Sequence, residues 1–291
     1  MNPRRRIFLA DAALLGVTAI WGVTFVVVKR ALDDATPLLF NAVRLSLAAA
    51  LLAAFYRPRW RRLPASLWLS SGALGACLAT GYAFQTAGLT LTTPSKSAFI
   101  TGLSVVLVPF LLALGWRRRL GAAVWAGSAM AAAGLYFLIL AGAASRAGGS
   151  HRGDWLTLAC AFAFALHIAL LGEFAPRFGF RDIAVLQIGF AAAFSWLAMP
   201  AVENPSWHSS PALWMALAVT AVLATAVAFT TQTWAQQFTP ASHTAVVFAA
   251  EPVFAWLAAL WGFHERLEPV QLAGAGLILA AMIVVEYGRA T

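Results

Sequence analysis

The sequence predicts an all-α membrane protein with ten transmembrane helices in two inverted five-helix repeats. The composition, the long apolar runs and a weak internal repeat together indicate this fold class. Of the 291 residues, 61% are hydrophobic and only 11% are charged, whereas charged residues make up about 25% of a typical soluble domain. A helix needs about 20 apolar residues to cross the hydrocarbon layer, and runs of that length recur along nearly the whole chain.

Apolar length, bounded by proline, glycine and clusters of charge, predicts where each span begins and ends. The ten predicted spans cover residues 8–28, 37–56, 66–89, 94–115, 121–140, 155–176, 183–202, 211–236, 241–262 and 269–287. The first run follows "MNPRRR" but has no small-residue cleavage site. We therefore expect it to remain as a helix and not to be removed as a signal peptide.

The chain also repeats itself in order along its length. A shift of 143 residues aligns Asp11 with Asp154, and a shift of 146 aligns "TTPSKS" with "FTPASH". We therefore predict a first repeat at 1–143, a linker rich in Gly, Ala and Ser at 144–153, and a second repeat at 154–291. Because each repeat has an odd number of spans, the second enters the membrane from the opposite face. That plan is typical of secondary transporters, and a channel is compatible with it.

Basic residues predict the orientation. A cytoplasmic N-terminus places thirteen of them in the cytoplasm and six on the other side, as the positive-inside rule favours. The thirteen are Arg4, Arg5, Arg6, Arg57, Arg59, Arg61, Arg62, Arg117, Arg118, Arg119, Arg177, Arg181 and Arg289, and the six are Lys29, Arg30, Lys96, Arg146, Arg152 and Arg266. Ten spans return the C-terminus to the cytoplasm. We expect the inner membrane of a bacterial-type cell as the location.

Charge and motifs exclude several classes of function. The net charge of +9 belongs to no basic domain outside the apolar runs, so we expect no nucleic acid as a partner, only the lipid bilayer and a small-molecule substrate. There is no HExxH, GxSxG or GxxxxGK[ST] motif, so we expect no enzyme, no cofactor, no metal and no ATP-driven pumping. Cys77 and Cys160 lie in predicted spans and are expected to be packing residues.

Glu251 interrupts the apolar run "VVFAAEPVFAWL". A charge at the centre of a membrane helix costs about 2.5–3.5 kcal/mol, so such groups face the protein interior or a wet cavity. His243, Val247 and Glu251 are spaced by four and are predicted to share one helical face, and Pro252 is expected to kink the helix. Glu251 is therefore either a cavity group or a hydrogen-bonding tie between spans.

Polar side chains form a second face, in span 3. Tyr82, Gln85 and Thr86 are spaced by three and four, and a shift of 146 relates the last two to Thr231 and Gln232 in span 8. Because a polar stripe is costly in lipid, these residues are expected to look inward. Hydrogen bonding between helices is the alternative interpretation.

Aromatic and histidine side chains mark spans 1 and 6. Trp21, Thr24 and Phe25 share a stripe of span 1, and Phe164 and His167 lie in the middle of span 6. Aromatic walls with a few polar groups are typical of small-molecule pockets, and an imidazole can bind substrate or carry a proton. Ordinary packing and a structural histidine are the alternatives.

Small hydroxyl residues recur along span 4. Ser97, Thr101 and Ser104 leave a polar groove there, or allow a neighbouring helix to approach closely. Trp234, deep in span 8, is added to the candidates. Arg44 lies inside span 2, and we expect it to have a structural pairing role.

Several stretches resemble the EamA-type branch of the drug/metabolite transporter superfamily. They are "AIWGVTFVVVKRAL" and "PLLFNAVRLSLAAALL" in the first half and "EPVFAWLAALWGFHERLEPVQLAGAGLILAAMIVV" in the second. The resemblance implies export of amino acids, other metabolites or toxic compounds, with spans 1, 3, 4, 6, 8 and 9 around a central cavity and spans 5 and 10 at the periphery. The first half departs from the pattern, because "GWRRRL" lacks the acidic residue that the second half has as Glu265.

These patterns predict an inner-membrane secondary transporter that exports small organic solutes by alternating access. Aromatic and other neutral amino acids suit a lining of aromatic rings and few charges. The candidate substrate-binding residues are Trp21, Thr24, Tyr82, Gln85, Ser97, Thr101, Phe164, His167, Gln232, Trp234, His243 and Glu251. A multidrug or cationic-compound effluxer is the alternative within transport. A membrane enzyme and a non-transporting scaffold are the alternatives from other classes.

Overall fold

A computed structural model describes residues 3–58, 62–140, 151–263 and 269–290. Throughout this part of the chain the regular elements are helical. The α-helices are α1 Pro3–Ala31, α2 Pro37–Tyr56, α3 Ala65–Leu91, α4 Pro94–Gly102, α5 Ser104–Gly115, α6 Ala122–Leu135, α7 His151–Phe174, α8 Phe180–Val202, α9 Pro211–Val219, α10 Ala228–Ala235, α11 Ala241–Phe248, α12 Glu251–Phe263 and α13 Pro269–Ala290. Two π-helical segments, Tyr136–Leu140 and Thr220–Val227, continue α6 and join α9 to α10.

Eight helical stretches are long and apolar enough to cross a membrane, which confirms an all-helical, multi-pass membrane protein. They are Arg5–Ala31, Pro37–Tyr56, Ala65–Leu91, Lys96–Gly115, His151–Phe174, Phe180–Val202, Pro211–Ala235 and Pro269–Gly288. The other two predicted spans correspond to the shorter Ala122–Leu138 and to α11 with α12, which a turn separates. Most of the predicted linker at 144–153, and Glu265, lie outside the described residues.

The predicted spans 4 and 9 are each broken in the middle. The first is divided at Leu103 between α4 and α5, and the second at Ala249 and Ala250 between α11 and α12. Pro252 has no N–H to donate to the carbonyl four residues earlier, so a continuous helix cannot be completed there. The break therefore lies between Val247 and Glu251, two of the three residues predicted to share one helical face, and it agrees with the kink expected at Pro252.

The connections meet at two ends of the bundle. At the end opposite the N-terminus, here called the distal end, the Glu203 carboxylate accepts hydrogen bonds from the backbone N–H groups of Leu38 and Leu39, at 3.0 and 2.8 Å. The first N–H groups of a helix have no partner within it, so Glu203 supplies one for α2. The backbone N–H of His208 donates to the Asp34 carbonyl at 2.7 Å and joins the same two connections.

Other contacts close the N-terminal end. The Thr239 hydroxyl donates to the Asp11 carboxylate at 2.6 Å, and Arg118 forms an ion pair with Glu173. Between this end and the middle lies a cluster of buried apolar residues, the closing cluster, contributed by α1, α5, α7, α10 and α11. Its members are Ala10, Leu14, Val17, Val108, Leu112, Ala165, Ile168, Ala169, Ala228, Ala235, Ala241, Ala245, Val247 and Phe248.

Helix α6 pairs with α13. A Cβ atom added at Gly134 would lie 2.8 Å from the Gly274 carbonyl oxygen, and one added at Gly274 would lie 2.7 Å from the Gly134 carbonyl oxygen. Only glycine allows such a close approach of two membrane helices. Elsewhere α3 packs on α7 and α8, while α1 packs on α10 and α12. These contacts leave a space between α1, α3, α7 and the two broken spans.

Candidate functional site

A cavity lies in the middle of the bundle. On α1 its lining runs from Trp21 to Val28, and on α3 from Tyr82 to Leu89, so it extends from mid-bundle toward the distal end. The closing cluster fills the other half, and two of its members, Ile168 and Phe248, also line the cavity. The cavity therefore has an apolar floor on the N-terminal side.

Most of the candidate residues come together in this lining. The nine that line it are Trp21, Thr24, Tyr82, Gln85, Thr101, Phe164, His167, Gln232 and Glu251. They come from α1, α3, α4, α7, α10 and α12, which belong to six different predicted spans. Residues far apart in sequence are thus neighbours around one space.

Three candidates lie elsewhere. Ser97 is fully buried in α4, outside the lining. Trp234 packs its ring 5.6 Å from that of Phe238 and lies against the closing cluster. His243 is half-buried in α11, on the N-terminal side of the break. Because the helix is interrupted at Ala249, the direction of Glu251 does not carry over to His243.

Aromatic rings form the walls, and Phe229 is at their centre. Its ring lies 5.4 Å from Trp21, 6.1 Å from Tyr82 and 5.7 Å from His167, measured between centroids. The Trp21 indole N–H donates at 2.8 Å to the carbonyl of Ala224, in the π-helical segment. The edge-on and tilted contacts are those that aromatic pairs prefer, so the walls form one packed unit.

Arg44, for which a structural pairing role was expected, also lines the cavity. Its guanidinium carbon lies 4.0 Å from the centre of the Tyr82 ring, and its Nε donates to the Thr225 hydroxyl at 3.2 Å. Among the described residues no carboxylate lies within 4.0 Å of it. Arg44 is thus a buried cation without an anion beside it.

Glu251 is the first residue of α12 and directly follows the break. It is near enough to Tyr82 and Cys160 to interact with them electrostatically. A Cβ atom at Gly22 would lie 2.7 Å from the Glu251 backbone oxygen, so the close approach of α1 fixes the backbone here. In the described part of the chain no cation lies within 4.0 Å of the carboxylate. Its side chain lines the cavity.

His167 is hydrogen-bonded through one of its ring nitrogens. Its Nε2 lies 2.9 Å from Gln187 Oε1, and Gln187 Nε2 donates to the Thr233 hydroxyl at 3.0 Å. The Thr233 hydroxyl in turn donates to the Phe229 carbonyl at 2.6 Å. This buried chain fixes the imidazole ring at the cavity wall.

Sequence reasoning missed several lining residues. Apart from Arg44 they are apolar, namely Val28, Leu89, Ile168, Ala224, Phe229 and Phe248, and apolar residues give no signal in a membrane helix. One signal was available for Phe229: a shift of 147 aligns "YAFQT" at 82–86 with "FTTQT" at 229–233. This register relates Tyr82 to Phe229 and Gln85 to Gln232.

Comparisons with known proteins agree with this architecture. A profile of the EamA-like transporter family matches residues 8–140 and again residues 151–287. The chain is 34% identical over 277 residues to an uncharacterized transporter of Archaeoglobus fulgidus, an alignment that covers 95% of this chain and 85% of that protein. It also superposes on a protein crystal structure with a TM-score of 0.76 at 22% identity, over 95% of this chain and 96% of the other. The last likeness shows a shared fold.

Proposed function

The chain belongs to the EamA-like transporter family, and on that premise we propose that it is a secondary transporter that exports aromatic and other neutral amino acids by alternating access. Membership makes it a multi-pass membrane transporter, with the lipid bilayer and a small molecule as its partners. It points away from an enzyme. The substrate, the direction and the mechanism are the proposal.

The observation that carries the proposal is the cavity lining. Aromatic rings form its walls, and among the described residues Glu251 is the one carboxylate in the lining. An aromatic wall binds apolar side chains and a carboxylate binds an ammonium group. A neutral amino acid has both features. The nine candidate residues in the lining are the proposed substrate-binding set.

Two features support alternating access. The cavity extends toward the distal end, while the closing cluster fills the N-terminal half. Spans 4 and 9 are both broken beside the cavity, and discontinuous helices at the substrate site are a feature of many inverted-repeat transporters. We propose that the ten predicted spans form two inverted repeats, and that rocking of one against the other opens the N-terminal half.

Efflux of organic cations is the second candidate function. It is favoured by the position of Glu251, because a carboxylate among aromatic rings also suits a lipophilic cation. The two candidates differ in what they require of the substrate. A cation needs only Glu251 and the rings, whereas an amino acid also brings a carboxylate of its own.

Transport by purified protein in liposomes tests the proposal. We expect uptake of labelled phenylalanine and tryptophan down a gradient or in exchange, slower uptake of threonine, and no movement of nucleotide sugars. Protein-free liposomes are the control. Uptake of ethidium without uptake of amino acids would replace the proposal with cation efflux. If neither amino acids nor ethidium are taken up, even with a proton gradient imposed, both proposed transport functions would be excluded.

Orientation has its own test. With Cys77 and Cys160 replaced, we expect a membrane-impermeant maleimide to label Ser209→Cys in intact cells and to leave Arg119→Cys unlabelled until the cells are opened. Both positions are exposed and lie at opposite ends of the bundle. The reverse pattern would place the N-terminus outside the cell.

A further inference from the structure

Arg44 is the least expected residue of the cavity. It lies about 10 Å along α2 from Pro37, at 1.5 Å per residue, and only 3% of it is exposed. A charged residue inside a membrane protein is costly, and it normally pairs or marks a path for a substrate. Because the described residues offer Arg44 no carboxylate within 4.0 Å, pairing does not explain it.

The guanidinium is held in place on two sides. Its carbon lies over the Tyr82 ring, 4.0 Å from the ring centre, and its Nε donates a hydrogen bond to the Thr225 hydroxyl at 3.2 Å. Beyond these two side chains, no described residue is bonded to the guanidinium. Arg44 lines the cavity. A fixed guanidinium at a cavity wall matches a planar carboxylate, which it can bind through two parallel hydrogen bonds.

Groups of the opposite polarity line the same cavity. Glu251 enters from α12, and the Gln232 side chain enters from α10 with its Oε1 atom buried and without a hydrogen-bond partner among the described residues. Glu251 and Arg44 do not form an ion pair with each other in this part of the chain. The cavity therefore presents a cation and an acceptor pair separated by aromatic surface.

We propose that Arg44, seated on Tyr82, forms the subsite that binds the substrate carboxylate, and that Glu251 and Gln232 bind the ammonium group. The transported solute is then an α-amino acid zwitterion, and organic cations without a carboxylate are poor substrates. This inference rests on the proposed transport function and narrows its substrate class. Binding needs no proton or electron transfer.

Competition in wild-type liposomes tests the inference without any substitution. Labelled phenylalanine uptake is measured against unlabelled phenylalanine, phenylalaninamide and 3-phenylpropionate. The amide keeps the ring and the ammonium group but has no carboxylate charge, and the propionate keeps the carboxylate but has no ammonium group. We expect each to compete at least about tenfold less well than phenylalanine, since a charge-assisted hydrogen bond is lost in both. Equal competition by phenylalaninamide would overturn the carboxylate subsite.

Variants then assign the effect to Arg44. We expect Arg44→Gln to reduce phenylalanine uptake at least about tenfold and to abolish the preference for phenylalanine over phenylalaninamide. Arg44→Lys should retain part of that preference, because the charge remains while the planar fork is lost. Arg181→Gln is the matched control, since Arg181 also stacks on a tyrosine, Tyr56, at 5.8 Å, but does not line the cavity.

The outcomes separate this inference from the function beneath it. If the wild type moves no amino acid, the proposed function fails. If the wild type moves phenylalanine and a folded Arg44→Gln protein keeps the full preference over phenylalaninamide, the function stands and the inference fails. Where Arg44→Gln does not fold, Arg44→Lys and the wild-type competition give the decision.

Discussion

The two halves of the bundle contain the same hydrogen-bonded arrangement beside the cavity. In the first half, Asn41 Nδ2 donates to the Thr86 hydroxyl at 2.9 Å, and that hydroxyl donates to the Tyr82 carbonyl at 2.7 Å. In the second half, Gln187 and Thr233 repeat both bonds, at 3.0 Å and, to the Phe229 carbonyl, at 2.6 Å. In each case a side-chain amide of one helix is joined to a threonine of another.

The halves differ in what stands next to that arrangement. In the second half Gln187 also binds His167, so its side-chain amide is bonded to two protein side chains. In the first half Arg44 lies over the Tyr82 ring and lines the cavity. The comparison teaches that burial alone does not tell which partners a polar residue has, because His167 and Arg44 are both buried. His167 bonds to the Gln187 side chain, whereas no described carboxylate lies within 4.0 Å of Arg44.

The largest expected effect comes from substitution of Glu251. Glu251→Gln should lower phenylalanine transport by about 10- to 100-fold, because a charge-assisted hydrogen bond to the ammonium group contributes roughly 1.5–3 kcal/mol. Glu203→Gln is the matched control. Its carboxylate binds backbone N–H groups of α2 and lies outside the cavity, so the measured loss should be in thermal stability in detergent and not in transport.

A comparison of the wild type with Glu251→Gln also tests proton coupling. If Glu251 exchanges a proton with the substrate ammonium group, wild-type uptake should change across about pH 5.5 to 8, within which histidine also titrates, and the Glu251→Gln profile should be flat. A Gln variant that follows the wild-type profile would exclude an essential proton role for Glu251.

The second largest expected effect concerns the hydrogen bonds that Gln187 forms with His167 and Thr233. Gln187→Leu should reduce the free energy of unfolding by about 1–2 kcal/mol, the range for hydrogen bonds between membrane helices, since it leaves the His167 ring and the Thr233 hydroxyl without their shared partner. Thermal unfolding in detergent measures it, with Asn41→Leu as the counterpart in the first half. Unchanged stability together with an altered substrate preference would mean that Gln187 binds the substrate. The two halves would then not differ in the way described above.

The third effect separates stacking from charge. Tyr82→Leu should reduce phenylalanine transport about 2- to 10-fold more than threonine transport, because an aromatic contact contributes about 0.5–1.5 kcal/mol beyond its area. Both substrates have a carboxylate, so any loss of support for Arg44 cancels in the ratio. Tyr56→Leu, whose ring packs on Phe180 at 6.2 Å away from the cavity, should leave the ratio unchanged. An equal loss for both substrates would mean that the Tyr82 ring does not contact the aromatic side chain of the substrate.

The smallest effect concerns the π-helical segment. Trp21→Phe keeps an aromatic ring but removes the hydrogen bond to the Ala224 carbonyl, and should cost about 1 kcal/mol of stability. Trp214→Phe removes the exposed bond to the Ser209 hydroxyl and should cost less. Melting temperatures of both variants check the order, and a larger shift for Trp214→Phe would mean that the Trp21 bond does not stabilise the segment.

Much of the fold was predictable because apolar length and helix punctuation are local. The predicted span at 37–56 coincides with α2 Pro37–Tyr56, since proline starts the helix and Arg57 follows its end. Other ends moved by a few residues. Pro252 indicated a break near Glu251, and the structure divides the helix between Phe248 and Glu251, whereas periodicity assumes a continuous helix.

The sequence by itself determined the class of protein, the number and approximate limits of the apolar runs, and the presence of polar residues that lipid would not tolerate. These follow from the free energy of transferring each side chain into a membrane. Only the tertiary structure decided which of these polar residues line the cavity. Arg44 lines the cavity because α2 presents it beside Tyr82 of α3 and Thr225 of the π-helical segment, residues 38 and 181 positions away along the chain. Whether a buried charge meets a partner or a cavity depends on how helices distant in sequence pack, and hydropathy does not contain that information.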